Sequence, residues 1–342
     1  MDTIGLDLHK RESQVCVLTE EGEVIERRIV TSRERFTAVL GARPRARILL
    51  EASTESEWVA RHLEALGHEV IVADPNFAPM YATRRRGVKT DRRDARTLAE
   101  AGRLGAYRRA HRASDEQRHV RAELAVRDAL VRTRTRYVAV IQALVRRDGL
   151  RLPGGSAEHT ERKLAALEMA SDLRLELAPL RAVWGPLEAE IEAADDRLRE
   201  LAGGDPVVAR LMTAPQIGPV TAVAFVATLD CVTRFKSAHQ VEAYLGLTPR
   251  EYSSGEQQRR GRISKTGNSR MRYLLVEAAW RVLRTKDPAA ASLKAWAEGI
   301  ALRRGRSIAA VALARRLAGI LYAMWRDGEG YRAPRPAEVA VA

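Results

Sequence analysis

Four carboxylates in the N-terminal third of the chain have the residue types and positions that metal-dependent phosphate chemistry requires. Asp7 lies in a strand-like segment, Glu51 ends an aliphatic run, and Asp91 and Asp94 stand three residues apart. On a helix that spacing places both aspartates on one face, about 5 to 6 Å apart at Cβ, where like charges repel unless they are neutralised. Oxygen donors without a Cys/His cluster favour Mg²⁺ or Mn²⁺ as the neutralising ion.

Each acid also has an ordinary structural explanation. Asp7 could lie on the exposed face of a strand, and Glu51 could cap the helix that follows it. Asp91 and Asp94 could pair with the arginines next to them, as surface carboxylates commonly do. No single acid therefore indicates a function, and the interpretation depends on their order within a fold.

A second group of reactive residues lies in the segment 246–268, which is rich in Gly, Ser, Thr and Arg and is predicted to be a loop over 246–267. Glycine gives the backbone freedom, while hydroxyl and guanidinium groups bind phosphate. The minimal interpretation is a loop that grips phosphate, and the alternative is a serine nucleophile activated by nearby cations. Upstream, 212–222 resembles a helix-hairpin-helix turn in which Gly218 directs backbone N–H groups at a phosphate, or else a simple tight turn.

Hydrophobic periodicity predicts the elements that must position the four acids. Apolar residues alternate in three segments that form a meander, at 3–8, 14–18 and 24–30. A helix, a strand, a second helix and a further strand follow at 33–40, 47–51, 57–66 and 69–73. The order βββαβαβ is typical of a mixed α/β domain. In its first strand Gly5, Asp7 and His9 share one face.

Beyond Pro75 the pattern becomes helical, beginning at 91–104 with Thr90 as the predicted N-cap. Two long helices at 114–147 and 158–201 predict an antiparallel coiled-coil arm that serves dimerisation or spacing. Shorter helices predict a mainly α C-terminal domain at 214–229, 237–244, 269–283, 289–303 and 307–325. The predicted division is 1–110, 111–204 and 205–330, with a frayed tail after it.

The net charge of +14 is concentrated in two segments. Residues 84–112 hold 11 Lys and Arg against 3 Asp and Glu, and residues 246–273 hold 7 against 2, which together account for +13. Such local excess favours a polyanionic partner such as nucleic acid. With 46% hydrophobic residues the chain is expected to fold, and the basic segments lack the apolar face of a membrane-surface helix.

Cys16 and Cys231 are the only cysteines, too few for a disulfide framework or a thiolate zinc site. Each is predicted to be a small buried hydrophobe in a protein of a reducing compartment. The longest uncharged run, 211–229, contains two prolines and a glycine, which favours a helical hairpin over a membrane span. We therefore expect a cytoplasmic protein without a membrane partner.

The motifs, taken in order, resemble the DEDD transposases of the insertion-sequence family one-ten, which are bridge-RNA-guided serine recombinases. The likeness runs nearly end to end. The N-terminal motifs of that family correspond to Gly5, Leu6, Asp7, His9 and Lys10, to Glu51, and to Lys89, Thr90, Asp91, Asp94 and Ala95. The C-terminal motifs correspond to 215–219, Arg234 and Phe235, 244–249, Ser254 and Gly255, 263–268, and Arg272.

The resemblance implies an RNase H-like (RuvC-like) N-terminal domain in which Asp7, Glu51, Asp91 and Asp94 bind Mg²⁺, or Mn²⁺, at a scissile phosphate. It also implies that Ser254 attacks a DNA phosphate to give a phosphoserine link and a free 3′ hydroxyl, with Ser253 as the second choice. A non-coding bridge RNA would choose donor and target DNA by base pairing. A homo-oligomer, dimer or tetramer, would bring the acids of one subunit to the serine of another, at the bacterial nucleoid.

Nucleic-acid contacts are predicted at basic residues of both charged segments, at one lysine of the first motif and at one glycine turn. They are Lys10, Arg84, Arg85, Arg86, Lys89, Arg92, Arg93, Gly218, Arg250, Arg259, Arg260, Arg262, Lys265 and Arg272. Three other hypotheses stay open. One is a RuvC-like junction nuclease that uses water as nucleophile, and another is a non-catalytic nucleic-acid-binding protein. The third, an actin-like ATPase, lacks the expected second Gly-rich phosphate loop.

Overall fold

The computed structural model describes residues 1–81, 90–251 and 260–333, and the chain divides into two compact units, Met1–Ala113 and Ser114–Ala342. Several predicted site residues lie outside the described residues: Arg84, Arg85, Arg86, Lys89, Ser253, Ser254 and Arg259. Arg260 is described through its backbone alone. The division of the chain at 110 and 204 stays a prediction.

The N-terminal unit is the mixed α/β domain that the sequence predicted. Its elements are β1 (Thr3–Leu8), β2 (Glu12–Leu18), β3 (Val24–Val30), α1 (Arg33–Leu40), β4 (Arg47–Glu51), α2 (Ser56–Ala65), β5 (Glu69–Ala73) and α3 (Asp91–Leu104). The strands form one sheet in the order β3-β2-β1-β4-β5. β1, β2 and β3 pair antiparallel, whereas β4 pairs parallel with both β1 and β5.

Alternation along β1 sends its side chains to two different layers. Ile4 and Leu6 are fully buried on the face covered by α1 and α2, where Phe36 of α1 also packs. The opposite face carries Gly5 and Asp7 and is covered by α3. Leu98 of α3 packs there with residues of β4 and β5. Because successive strand residues point to opposite faces, the sheet lies between two helical layers and the acids face α3.

The C-terminal unit is helical with one short β-ribbon. Its helices are α4 (Asp115–Arg147), α5 (Thr160–Ala165), α6 (Ser171–Gly204), α7 (Pro206–Leu211), α8 (Pro219–Leu229), α9 (Ala238–Tyr244), α10 (Ser269–Arg284), α11 (Ala291–Arg304) and α12 (Arg306–Asp327). The ribbon pairs β6 (Pro249–Glu251) antiparallel with β7 (Arg260–Ile263). The predicted helical C-terminal region is therefore confirmed. The prediction that the whole of 246–267 is a loop is wrong, since a β-ribbon occupies part of it.

The two long helices α4 and α6 pack against each other, and the buried residues Ile141, Val145 and Leu177 belong to their shared cluster. The predicted single helix over 158–201 is wrong, because α5 and α6 are separated at 166–170. Leu164 and Leu173, on either side of this break, are both buried in the same cluster. The break contains no glycine or proline and coincides with the burial of these two leucines in one cluster.

Helices α7 to α12 enclose a large apolar core. Among the described residues one helix, α12, is long and apolar enough to cross a membrane by length and composition, yet half of its most apolar window is buried in the protein. Leu313, Leu317 and Leu321 of α12 are fully buried in this core. Cys16 is buried as predicted, whereas the prediction for Cys231 is wrong, since its thiol is exposed beside the Thr233 hydroxyl.

Candidate active site

Asp7 and Glu51 lie side by side at one edge of the N-terminal sheet. β1 and β4 run parallel with Leu6 opposite Leu50, and each acid follows its leucine directly. The carboxyl ends of both strands therefore present a carboxylate at the same place, where open α/β sheets bind their ligands. The Asp7 side chain is only 16% exposed.

Helix α3 brings the second pair of acids to this edge. Thr90 caps the helix by accepting a hydrogen bond from the Arg93 N–H at 3.4 Å, as predicted, and Asp91 and Asp94 lie in the first turn. The helix crosses β1 very closely, because a Cβ at Gly5 would lie 1.9 Å from the carbonyl oxygen of Ala95. Only glycine at this strand position permits the approach that carries the two aspartates to the sheet edge.

His9 joins the acids, although no role in the site was predicted for it. Its Nε2 lies 3.3 Å from Asp7 Oδ2 and 3.4 Å from Asp91 Oδ1. One donor atom from each of these three residues lies within 4.8 Å of the others. The signal that could have identified His9 is its two-residue spacing from Asp7, which places both side chains on one face.

The electrostatics of the site are those of a negative cluster. The pKa of Asp7 is raised to about 6, mainly by burial and additionally by the charges of Asp94, Asp91 and Glu51, while His9 opposes the rise. The pKa of Asp7 thus responds to all three of the other predicted acids. Oxygen donors that converge in this way suit a divalent cation, because the cation removes the repulsion between them.

Glu51 is held from the other side by a tyrosine. The Tyr81 hydroxyl donates a 2.6 Å hydrogen bond to Glu51 Oε1. Tyr81 ends a short 3₁₀ helix, Ala78–Tyr81, and packs with residues of β4, β5 and α3. A hydrogen bond from a packed residue fixes the orientation of a carboxylate.

Two arginines of α3 pair with carboxylates outside the acid cluster. In the described contacts Arg92 pairs with Glu26, and Arg96 donates to Glu100 at 3.1 Å. Arg92 and Arg93 are exposed. The simpler sequence interpretation, that neighbouring arginines neutralise Asp91 and Asp94, stays a prediction.

A polar cavity of about 460 Å³ opens next to His9 and Asp91. The cations that line it are Lys10, Arg11 and Arg28, and Arg28 also pairs with Glu12. Lys10 was predicted to contact nucleic acid, whereas Arg11 and Arg28 were not. Positive groups beside a negative cluster give a surface that can hold a phosphate backbone while the acids face one phosphate.

In the C-terminal unit, a tightly built junction supports the ribbon β6–β7. Gly246 and Gly267 both have positive φ, and a Cβ on either would lie about 2 Å from a carbonyl oxygen, that of Thr266 or Tyr244. Arg272 clamps this junction because one guanidinium nitrogen donates to three backbone carbonyl oxygens, those of Leu245, Thr266 and Gly267.

The other described residues of this unit that were predicted to contact nucleic acid lie on the ribbon, in the loop after it and at the start of α8. Arg250 and Arg262 lie on the two ribbon strands and are exposed, as is Lys265, which has a positive φ. Gly218 is the N-cap of α8, after the turn that follows α7. Arg272 thus has a structural task in the described contacts, and its predicted nucleic-acid contact stays a prediction.

Two transposase family models match the chain. A transposase model of the IS110 DEDD type matches residues 4–147, and the transposase IS116/IS110/IS902 family matches residues 208–294. The chain is 32% identical to a probable family 20 transposase of Pseudomonas aeruginosa, over 97% of this chain and 99% of the relative. It is 29% identical to the transposase for insertion sequence element IS1111A of Coxiella burnetii, over 96% of this chain and 91% of the relative. It is also 29% identical to the transposase for insertion sequence element IS1328 of Yersinia enterocolitica, over 95% of this chain and 97% of the relative.

Proposed function

This chain belongs to the IS110 family of insertion-sequence transposases, as its motifs predicted, and from that premise we propose that it is a metal-dependent serine recombinase. Membership implies DNA as the substrate and strand cleavage and transfer as the activity. The observation that carries the proposal is the convergence of Asp7, His9 and Asp91, which brings donor atoms of a strand and a distant helix within 4.8 Å of one another.

We assign the N-terminal unit to the RNase H-like (RuvC-like) fold that the DEDD family implies. The strand order β3-β2-β1-β4-β5, with three antiparallel strands followed by two parallel ones, supports this assignment. So does the position of Asp7 and Glu51 at the carboxyl ends of two neighbouring strands. The fold then serves as a frame that collects acids from β1, β4 and α3 at one edge.

The cofactor of this proposal is Mg²⁺, with Mn²⁺ as an alternative, held by Asp7, Glu51, Asp91 and Asp94. The residues fit such an ion because carboxylate oxygens of Asp7 and Asp91 converge and the charges of Asp94 and Glu51 also act on Asp7. When bound, the ion supplies charge stabilisation at the scissile phosphate. The protein itself aligns the DNA backbone through exposed cations at the same edge, Lys10, Arg92 and Arg93.

The nucleophile of this proposal is Ser254, which lies outside the described residues, as does the second choice, Ser253. The serine Oγ forms a bond to a DNA phosphorus, and the bond from phosphorus to the 3′ oxygen breaks. The proton lost by the serine is balanced by the proton that the leaving 3′ oxygen gains. A 3′ hydroxyl later attacks the phosphoserine, which restores a phosphodiester and releases the serine.

The experiment for the serine step is a strand-cleavage assay with full-length protein, the RNA that co-purifies with it, a DNA substrate and Mg²⁺, resolved on a denaturing gel. We expect a covalent protein–DNA adduct with the wild type and with Ser253→Ala, and none with Ser254→Ala or Asp7→Asn. An adduct that survives Ser254→Ala but not Ser253→Ala makes Ser253 the nucleophile. Hydrolysed DNA without any adduct makes the enzyme a RuvC-like nuclease that uses water.

We further propose that a non-coding bridge RNA directs donor and target choice, and that the protein works as a homo-oligomer, dimer or tetramer, at the nucleoid. Basic segments combined with only 5% aromatic residues suit binding through the backbone rather than by stacking on bases. The test is to purify the protein, extract and sequence any bound RNA, and measure the mass of the complex by light scattering. RNA that maps beside the gene supports guidance by a bridge RNA. Cleavage of DNA of any sequence by protein that carries no RNA contradicts it.

A further inference from the structure

The imidazole of His9 stands where a metal ligand would stand. Its Nε2 is 3.3 Å from an oxygen of Asp7 and 3.4 Å from an oxygen of Asp91. Two neighbouring ligands of an octahedral ion with bonds of 2.0 to 2.1 Å lie about 3 Å apart. The two nitrogen–oxygen distances are therefore only a few tenths of an ångström longer than they would be around one ion, and the third donor pair lies within 4.8 Å.

The backbone at His9 is anchored, although the side chain is 55% exposed. The His9 carbonyl oxygen accepts a 2.8 Å hydrogen bond from the Thr31 hydroxyl, which also lies 2.7 Å from the Ser13 hydroxyl. The Thr31 N–H in turn donates to the Arg11 carbonyl oxygen at 2.9 Å. A ring on a fixed backbone that remains open to solvent can take up an ion at little conformational cost.

We propose that His9 is a ligand of the active-site cation and that its Nε2 binds the same ion as Asp7 and Asp91. This inference rests on the proposed metal-dependent function and adds a nitrogen donor to a set that the sequence predicted to be all oxygen. Imidazole is a common ligand of transition metals, whereas carboxylates bind Mg²⁺ and Mn²⁺ alike. The site therefore prefers Mn²⁺ over Mg²⁺ more strongly than four carboxylates would.

The test is electron spin-echo envelope modulation of Mn²⁺ bound to the full-length protein, which detects nitrogen coordinated directly to the ion. We expect a ¹⁴N coupling in the wild type that changes to a ¹⁵N coupling when histidine alone is labelled. The coupling disappears in His9→Gln. It remains in His62→Gln, the matched control, whose ring bonds to Thr37 and Arg33 of α1.

Binding affinities give a second measurement. Calorimetric titration should show Mn²⁺ affinity reduced about tenfold by His9→Gln, with Mg²⁺ affinity reduced much less. Mn²⁺ that binds in an Asp7-dependent manner without any nitrogen coupling overturns the role of His9 and leaves the metal-dependent function intact. Failure of wild-type protein to bind Mn²⁺ or Mg²⁺ at all overturns both.

Discussion

Gly5 of β1 lies so close beneath Ala95 of α3 that a methyl group on Gly5 would come within 1.9 Å of the Ala95 carbonyl oxygen and 2.4 Å of the Ala99 nitrogen. The obstacle is helix backbone, which cannot rotate away as a side chain can. Asp91 and Asp94 lie on the first turn of the same helix, and Asp7 lies two residues after Gly5 on the same face of the strand. The distance between strand and helix thus sets the distance between the acids.

Gly5→Ala is expected to displace α3 and to lower the free energy of unfolding by about 2 to 3 kcal/mol, as overpacking of a tight interface does. The displacement also weakens Mn²⁺ binding, although no ligand is removed. Gly299→Ala is the matched control, since Gly299 lies inside α11 with nothing within 4 Å of its added methyl group. That substitution should be neutral or stabilising. Equal stability of both variants in urea unfolding would contradict the close approach.

Asp7→Asn is expected to stabilise the metal-free protein. Burial raises the pKa of Asp7 from 3.8 to about 6, so the folded state holds the proton more tightly than the unfolded state does. The stability of the wild type therefore falls as the pH rises from about 4 to 6, and the asparagine avoids this loss. In EDTA at pH 7.5 we expect a gain of about 1 kcal/mol, reduced from the full linkage value because water partly reaches the carboxylate.

The sign of this effect reverses when metal is added. Saturating Mg²⁺ stabilises the wild type by mass action and should leave Asp7→Asn nearly unchanged. Thermal unfolding with and without Mg²⁺ measures both halves of the prediction, and Glu190→Gln, at an exposed position of α6, is the control. A variant that is less stable than the wild type in EDTA, or whose advantage persists at pH 4, would contradict the raised pKa of Asp7 in the folded protein.

Tyr81→Phe is expected to weaken metal binding without unfolding the protein. The substitution removes only the hydroxyl that donates to Glu51 Oε1 at 2.6 Å, so Glu51 loses a fixed orientation. Loss of such a supporting hydrogen bond lowers metal affinity by about 10- to 100-fold. Tyr107→Phe, in the same apolar cluster, is the control for the loss of a hydroxyl alone. Calorimetric titration with Mn²⁺ measures the difference, and identical affinities would show that Tyr81 does not position Glu51.

Local patterns were sufficient to predict the sheet and its two faces. Ile4 and Leu6 are buried on one side of β1, while Gly5 and Asp7 face the other, as a two-residue period requires. The pairing of β1 with β4, which places Glu51 beside Asp7, was not predicted and is seen only in the structure. A period of 3.6 residues and the cap at Thr90 identified the helix that bears the second pair of acids.

The features that the sequence did not predict depend on contacts between distant residues. His9 is a lone histidine at a strand end, and its place in the site is fixed only when α3 packs on Gly5. The break between α5 and α6 coincides with the burial of Leu164 and Leu173 in one cluster, since no glycine or proline lies between 156 and 178. The ribbon β6–β7 is short and most of its described side chains are exposed, so it has no alternating apolar pattern to reveal it.

Arg272 and Arg262 are expected to respond differently to substitution, although both were predicted to contact nucleic acid. Arg272 donates to three backbone carbonyl oxygens at the base of the ribbon, whereas Arg262 is an exposed residue of β7. Arg272→Gln leaves these carbonyls without their charged donor and should lower the free energy of unfolding by about 2 kcal/mol. Arg262→Gln should leave the free energy of unfolding unchanged and remove one phosphate contact.

Salt dependence of DNA binding separates the two roles. The slope of log K against log salt concentration should become shallower by about 0.9 in Arg262→Gln, the amount expected when one phosphate is no longer neutralised. In Arg272→Gln, measured well below its unfolding midpoint, the slope should equal that of the wild type. A shallower slope in Arg272→Gln with unchanged stability would contradict the structural role of Arg272. The guanidinium would then neutralise a DNA phosphate rather than hold the backbone carbonyls at the base of the ribbon.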